Sequence, residues 1–245
     1  MRKLLESAKR YAGSATVEDY VIGLGLCAVK LSDGRAGLSY ILRSEIRGGC
    51  SPLERTLETG QQAEEFIELY ENSDPVKVSL GLATINACLN SVYEKDFKKG
   101  DLADFLQLEP DDSVAMVGDL RKALPAVGTH QVYVFERENK SDTIPDWMIP
   151  YILPKCKAAV ITSASLANKT FWFQIEPYLT TSKVALVGPT TPMFPEAFEK
   201  VRIFAGFKII DPDAALKVVS RGGGTKNLLR EGAAVKVVLL NHQGN

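Results

Sequence analysis

Residues 183–192 read KVALVGPTTP. A short, nearly continuous apolar run that stops at glycine and proline reads as a strand buried on both faces. Pro189 and Pro192 fix φ and carry no amide donor, while Gly188 tolerates a positive φ or a close approach. The loop is therefore stiff and bears two hydroxyls. It admits two readings, an ordinary strand-to-helix turn or the wall of a ligand site. The second arises because open α/β sheets bind ligands beyond the carboxyl ends of their strands.

Five further segments share the pattern. They are SVAMVG (113–118), QVYVFE (131–136), AAVIT (158–162), VRIFAG (201–206) and AVKVVLL (234–240). The intervening segments are long enough for crossover helices. Apolar strands alternating with helices predict a parallel sheet covered on both faces, a Rossmann-like α/β domain over residues 97–245.

The first half has another grammar. An amphipathic helix is expected over residues 1–12, then antiparallel strands near 18–31 and 36–42 around the Asp33-Gly34 hairpin signal. Ser51-Pro52-Leu53-Glu54 reads as a helix start, leading after a break near Gly60 into a helix to about residue 71. A largely apolar helix follows over 75–93, where Gly81, Ala83 and Ala87 suit close packing on a sheet. Asn86 and Asn90 share one of its faces. They read either as structural amides satisfying buried partners or as cleft residues. Strands first and helices after describe a small α+β domain, residues 1–96. The charged stretch EKDFKKGD (94–101) marks its boundary.

Composition excludes several classes. The formal net charge is −1, so no nucleic-acid or anionic-membrane partner is expected. No apolar run reaches the length of a membrane span, and the charged start has no secretory pattern, so a cytoplasmic protein is expected. The four cysteines form no CxxC or CxxH spacing. Cys27, Cys88 and Cys156 lie in apolar segments and read as core, whereas Cys50 sits in a loop. His130 and His242 are the only histidines, too few for a histidine cage.

Candidate site residues cluster at the strand ends. Gly118 and Asp119 follow the first strand of the second half, and Glu136 ends the next. Thr162 and Ser163 follow the third, with Asn168 and Lys169 a turn later, and Gly188, Pro189, Thr190 and Thr191 follow the fourth. The first turn lacks GxGxxG, which argues against ordinary NAD or FAD binding. Glu136 nevertheless stands where nucleotide-binding folds place the carboxylate that accepts ribose hydroxyls. Thr162, Ser163, Thr190 and Thr191 read as two hydroxyl-rich helix starts, a floor for an anion or polar ligand. Ser220-Arg221-Gly222-Gly223-Gly224-Thr225-Lys226 reads either as a phosphate nest or as a surface loop. No GxSxG or HExxH motif occurs, so the catalytic residues are undefined.

The segments GLGLCAVKLSDGRAGLSY, SLGLATINACLN, VAMVGDL, VYVFERE, AAVITSASLANKT, VALVGPTTPMFP and FAGFKIIDPDAALKVVSRGGG occur here in an order similar to a bacterial and archaeal family labelled "putative heavy-metal chelation domain". The resemblance covers nearly the whole chain. It implies an N-terminal domain like that of enolases, a Rossmann-like domain and a ligand site in the cleft between them. By position it implies as cleft residues Gly118, Glu136, Thr162, Asn168, Gly188, Pro189, Thr190 and Thr191, with Asn86 facing them. The label implies a transition metal or metal chelate as cofactor, with Asp119 and Glu136 as candidate oxygen ligands, and family habit implies a homodimer. The expectation is a protein that binds a small polar or anionic molecule in that cleft and acts in metal handling or metallocofactor metabolism. The alternative is a nucleotide- or S-adenosylmethionine-dependent enzyme resting on Glu136 and the Gly118 turn.

Overall fold

The computed structural model describes residues 1–46, 57–138 and 141–241. The Ser51-Pro52-Leu53-Glu54 helix start, Cys50 and His242 lie outside the described residues. The first half opens with α1 (Arg2–Ala12), which buries Leu4, Leu5, Ala8 and Ala12 along one stripe. Three antiparallel strands follow in the order β1 (Val17–Ile22), β2 (Leu26–Leu31) and β3 (Ala36–Tyr40). The single strand expected near 18–31 is thus two. Gly23 turns the chain, donating its N–H to Leu26 O at 2.9 Å. The Asp33-Gly34 hairpin forms as expected, with Gly34 at φ 85°.

Helix α2 (Ala63–Glu68) leads to α3 (Pro75–Leu89). Asp74 caps α3, its carboxylate accepting from Val76 N at 2.9 Å and Lys77 N at 3.0 Å, with Pro75 in the first turn. All residues from 78 to 89 are buried, so α3 is a central helix rather than an amphipathic surface one.

The second half contains α4 (Leu102–Leu106), β4 (Ser113–Val117), β5 (Gln131–Glu136), a two-residue β6 (Ile144–Pro145) and α5 (Ile149–Ile152). Then come β7 (Ala158–Thr162), α6 (Ala164–Ala167), a π-helical turn (Phe171–Ile175), β8 (Lys183–Val187) and β9 (Ile203–Ile209). Helices α7 (Pro212–Ser220) and α8 (Thr225–Arg230) precede β10 (Ala234–Leu240). The seven strands run β10-β9-β8-β7-β4-β5-β6, all parallel except β10, which pairs antiparallel with β9. Strand order reverses between β4 and β7, as in doubly wound sheets.

Two expectations change here. The last strand is antiparallel to β9, to which the chain returns through α7 and α8. The crossovers are also mostly turns and one-turn helices. Prolines at 125, 150, 154, 177, 192 and 195 interrupt them.

Alternation along the strands divides their side chains between two layers. Val114, Met116 and Val160 face α4. Ala115, Ala159, Ile161 and Leu186 face a core that continues into α1, α2 and α3 without a break. The small sheet is covered on both faces. Cys27, Val29 and Leu31 point to α1–α3, while Leu26, Ala28 and Leu38 meet Ala215, Leu216 and Val219 of α7. The charged stretch expected as the boundary runs beside β10, where Lys98 and Val238 exchange backbone hydrogen bonds of 2.8 and 2.9 Å.

Strand β3 and helix α3 meet backbone to backbone. A Cβ on Gly37 would lie 2.2 Å from Ala83 O and 2.3 Å from Ala87 N, so Ala83 and Ala87 do pack on the sheet. Gly81 serves another neighbour, since a Cβ there would lie 2.3 Å from Tyr70 N. Gly37→Ala is expected to cost about 3 kcal/mol or more in chemical denaturation, because neither backbone can yield. Gly25→Ala, which meets nothing within 4 Å, should change stability by no more than about 0.5 kcal/mol.

Candidate functional site

A cavity of about 350 Å³ lies beyond the carboxyl ends of β4, β5 and β7, beside the loop that follows β8. It sits at the reversal of strand order, where such sheets bind ligands. Val117, Phe135, Ile149 and Ile175 give it an apolar floor. The first half closes it through Tyr40, Leu42, Ser44 and Glu45, which end and follow β3.

Gly118 leaves β4 at φ 84°, a left-handed conformation that favours glycine. A Cβ there would stand 2.7 Å from Thr162 Cγ2, so the Thr162 methyl packs where a larger residue at 118 would put its side chain. Beyond Gly118 the chain enters turns and a short 3-10 segment (Val127–Thr129), and no α-helix follows. Asp119 N–H donates to Glu136 Oε1 at 2.8 Å, which draws the ends of β4 and β5 together. Both Asp119 carboxylate oxygens accept from Arg121 at 2.9 Å, and Arg121 also reaches Asp142 at 2.7 Å.

The loop after β8 is docked from the other half of the chain. Asn86 Nδ2 donates to Leu38 O at 2.7 Å and Thr190 O at 3.0 Å. Asn90, one turn on, donates to Thr191 O at 3.4 Å and accepts from Met193 N at 2.9 Å. Thr190 Oγ1 accepts from Tyr40 N at 2.8 Å, and Thr190 N donates to Ser163 Oγ at 3.2 Å. Thr191 Oγ1 donates to Ala205 O at 3.3 Å. Gly188, at φ 133°, leaves Ser163 Oγ only 2.6 Å from where its Cβ would be.

Thr190 and Thr191 therefore do not start a helix, contrary to the sequence reading. Their hydroxyls, like that of Ser163, are engaged in holding the loop. Gly118, Asp119, Glu136, Thr162, Asn168, Pro189 and Thr190 line the cavity, whereas Asn86, Ser163, Gly188 and Thr191 stand behind its wall. Asn168 Oδ1 accepts from Thr170 N at 3.1 Å and Thr170 Oγ1 at 2.6 Å, which orients its side chain at the rim.

The glycine-rich stretch near the C-terminus lies elsewhere. Gly222 and Gly223 donate to Val219 O and Val218 O at 3.0 and 2.9 Å, the pattern of a helix stop. Sequence reasoning missed Tyr40, Ser44, Glu45, Asp146 and Gln174, which also line the cavity. No local motif marks them. Tyr40 and Glu45 alone could have been suspected, as polar residues closing a hairpin.

Two family models, each described as "Putative heavy-metal chelation", match residues 101–238 and 5–89. The chain belongs to this family. An uncharacterized protein of Methanocaldococcus jannaschii is 30% identical over 216 residues, covering 83% of this chain and 80% of that one. A DUF364-family protein of unknown function from Pyrococcus horikoshii has the same fold, with a TM-score of 0.84 and 22% identity over 98% of both chains. Another, from Desulfitobacterium hafniense, matches with a TM-score of 0.78 and 22% identity over 98% of this chain and all of that one (100%).

Among the described residues, the donors do not fit a bare heavy metal. Soft metals select thiolate and imidazole. Burial pushes the thiols of Cys27, Cys88 and Cys156 up, Cys88 to about 12, so they are protonated at neutral pH. Among the described residues, no three His, Cys, Asp or Glu converge on one point. The two candidate oxygen ligands are engaged within the protein, Asp119 by Arg121 and Glu136 by Asp119 N–H.

Two outcomes follow. Iodoacetamide at pH 8 should leave Cys27 and Cys88 unmodified in the native protein and label both after unfolding, as read by peptide mapping. Gly118→Ala should destabilise by about 1–3 kcal/mol. Adding Thr162→Ser removes the clashing methyl and should recover part of that loss in the melting midpoint.

Proposed function

We propose that this protein binds a small polar organic molecule in the cleft between the two halves of the chain. The observation that carries this reading is the position of the cavity. It lies past the carboxyl ends of the parallel strands, at the reversal of strand order, and is closed by the end of β3. Its size suits a metabolite, and its apolar floor with a polar rim is the usual composition of a small-molecule site. The family description supports a role in metal handling or metallocofactor metabolism. Under that role the metal arrives already held by an organic chelate, since the cleft itself offers hydrogen-bonding groups rather than a ligand cage.

A second reading draws on Glu136, at the end of β5 beside β4, where a carboxylate can accept ribose hydroxyls. It supports an S-adenosylmethionine or nucleoside ligand better than a diphosphate, because β4 leads into turns and not into a helix N-terminus. Melting shifts with adenosine and S-adenosylmethionine that vanish in Glu136→Ala would favour it.

Native mass spectrometry tests the main reading. After incubation with a metabolite extract, the protein should carry an added mass that the denatured spectrum lacks. Ala164→Leu, which fills the cavity from α6, should lose that mass and keep its melting midpoint. An added mass unchanged by Ala164→Leu would place the ligand elsewhere and sink the proposal.

A further inference from the structure

The charges around the cavity are lopsided. Glu45, Asp119, Glu136, Glu138 and Asp146 line it, with Arg137 as the one lining cation among the described residues. The chain as a whole carries a formal net charge of only −1, so among the described residues the lining of the cleft is more acidic than the chain. Arg137 is spent on Glu45, an ion pair that joins the two halves across the cavity. Asp119 is balanced by Arg121 behind it. Glu136, Glu138 and Asp146 form no salt bridge among the described residues. A concave site with apolar walls and charges of one sign focuses its field on the space inside and concentrates ligands of the opposite charge.

The second observation is the floor. Val117, Phe135, Ile149 and Ile175 line the same cavity, together with Tyr40. A hydrated inorganic cation gains nothing from such a surface, and no three carboxylates converge to strip its water. An ammonium or amidinium on an apolar body satisfies both features, its charge at the rim and its carbon skeleton on the floor, with aromatic faces to receive the cation.

From this geometry we infer that the ligand of the cleft is an organic cation, an amine or amidine with an apolar body, and not an anion. This rests on the reading of the cleft as the binding site, and it reverses the anionic alternative drawn from the threonines. The hydroxyls of Ser163, Thr190 and Thr191 are bonded within the protein, and acidic residues make up most of the charged lining among the described residues.

Benzamidine and benzoate share one ring and carry opposite charges, so the pair isolates the effect. In a titration of the ¹⁵N-labelled protein, benzamidine should shift the amides of Gly118, Asp119 and Arg137 and saturate, with benzoate at least about tenfold weaker at those amides. The isosteric pair Glu138→Gln and Asp146→Asn should weaken benzamidine roughly tenfold with the melting midpoint unchanged. Benzoate binding there as tightly as benzamidine would overturn the cationic class while leaving the cleft as a ligand site. Benzamidine binding unaltered in the double variant would overturn the role given to the carboxylates. Zinc chloride saturating the same amides more tightly than benzamidine would reassign them to a metal. Neither ring compound reaching the cleft would overturn the inference and weigh against the cleft reading itself.

Discussion

Asn86 and Asn90 present their amides from a buried helix to a loop that cannot satisfy its own backbone. Pro189 and Pro192 contribute no N–H, so the carbonyls of Thr190 and Thr191 need donors from elsewhere. Burial without a partner would cost about 1–3 kcal/mol for each group. The two asparagines supply those donors, and Asn90 also accepts from Met193 N. The bonds depend on α3 lying at backbone distance from β3, which Gly37 permits. Once the loop is docked, Tyr40 N reaches Thr190 Oγ1, and the end of β3 closes over the strand ends. The cavity is a consequence of that docking.

The same interlocking recurs through the molecule. Tyr70, from the first half, donates to Leu166 O at 2.8 Å and accepts from Trp172 Nε1 at 3.0 Å. Trp172 in turn stacks on Phe198, centroids 5.1 Å apart, within an aromatic layer that includes Phe171 and Phe204. In the other direction α7, from the second half, covers the small sheet of the first. Each half thus buries apolar surface that the other exposes, and the cleft lies between surfaces held in a fixed relation.

That arrangement bears on the chemistry of the family. The thiols of Cys27, Cys88 and Cys156 lie inside the core, where burial pushes their pKa up and keeps them protonated. The hydroxyls of Ser163, Thr190 and Thr191 are committed to the protein, whereas Glu136, Glu138 and Asp146 line the cavity without a salt bridge among the described residues. A chelation role in this chain is therefore better served by recognition of an organic molecule than by direct ligation. Under the proposed reading, recognition relies on the electrostatic field of the rim and the apolar floor together.

Much of this could be read from residue order. Period-2 and near-continuous apolar runs marked most strands of both sheets, since a strand buried on two faces has little choice of composition. They did not mark the two-residue β6 or the division between β1 and β2. Asp33-Gly34 marked its hairpin, and the strand ends around Gly118, Glu136, Thr162 and Pro189 could be located as the cleft because parallel topology places them together. Other features depend on distances between residues far apart in the chain. The break at Gly23 reflects the approach of Val219 O, 2.5 Å from where a Cβ would be. The direction of the Thr190 and Ser163 hydroxyls depends on Tyr40 and on the loop, and the acidity of the rim on Glu45 and Asp146 arriving from separate segments. Local pattern records which residues are apolar and where the chain turns. Which polar groups satisfy one another and which stay turned to a ligand is a matter of packing between segments, and it emerges only when the two halves close on each other.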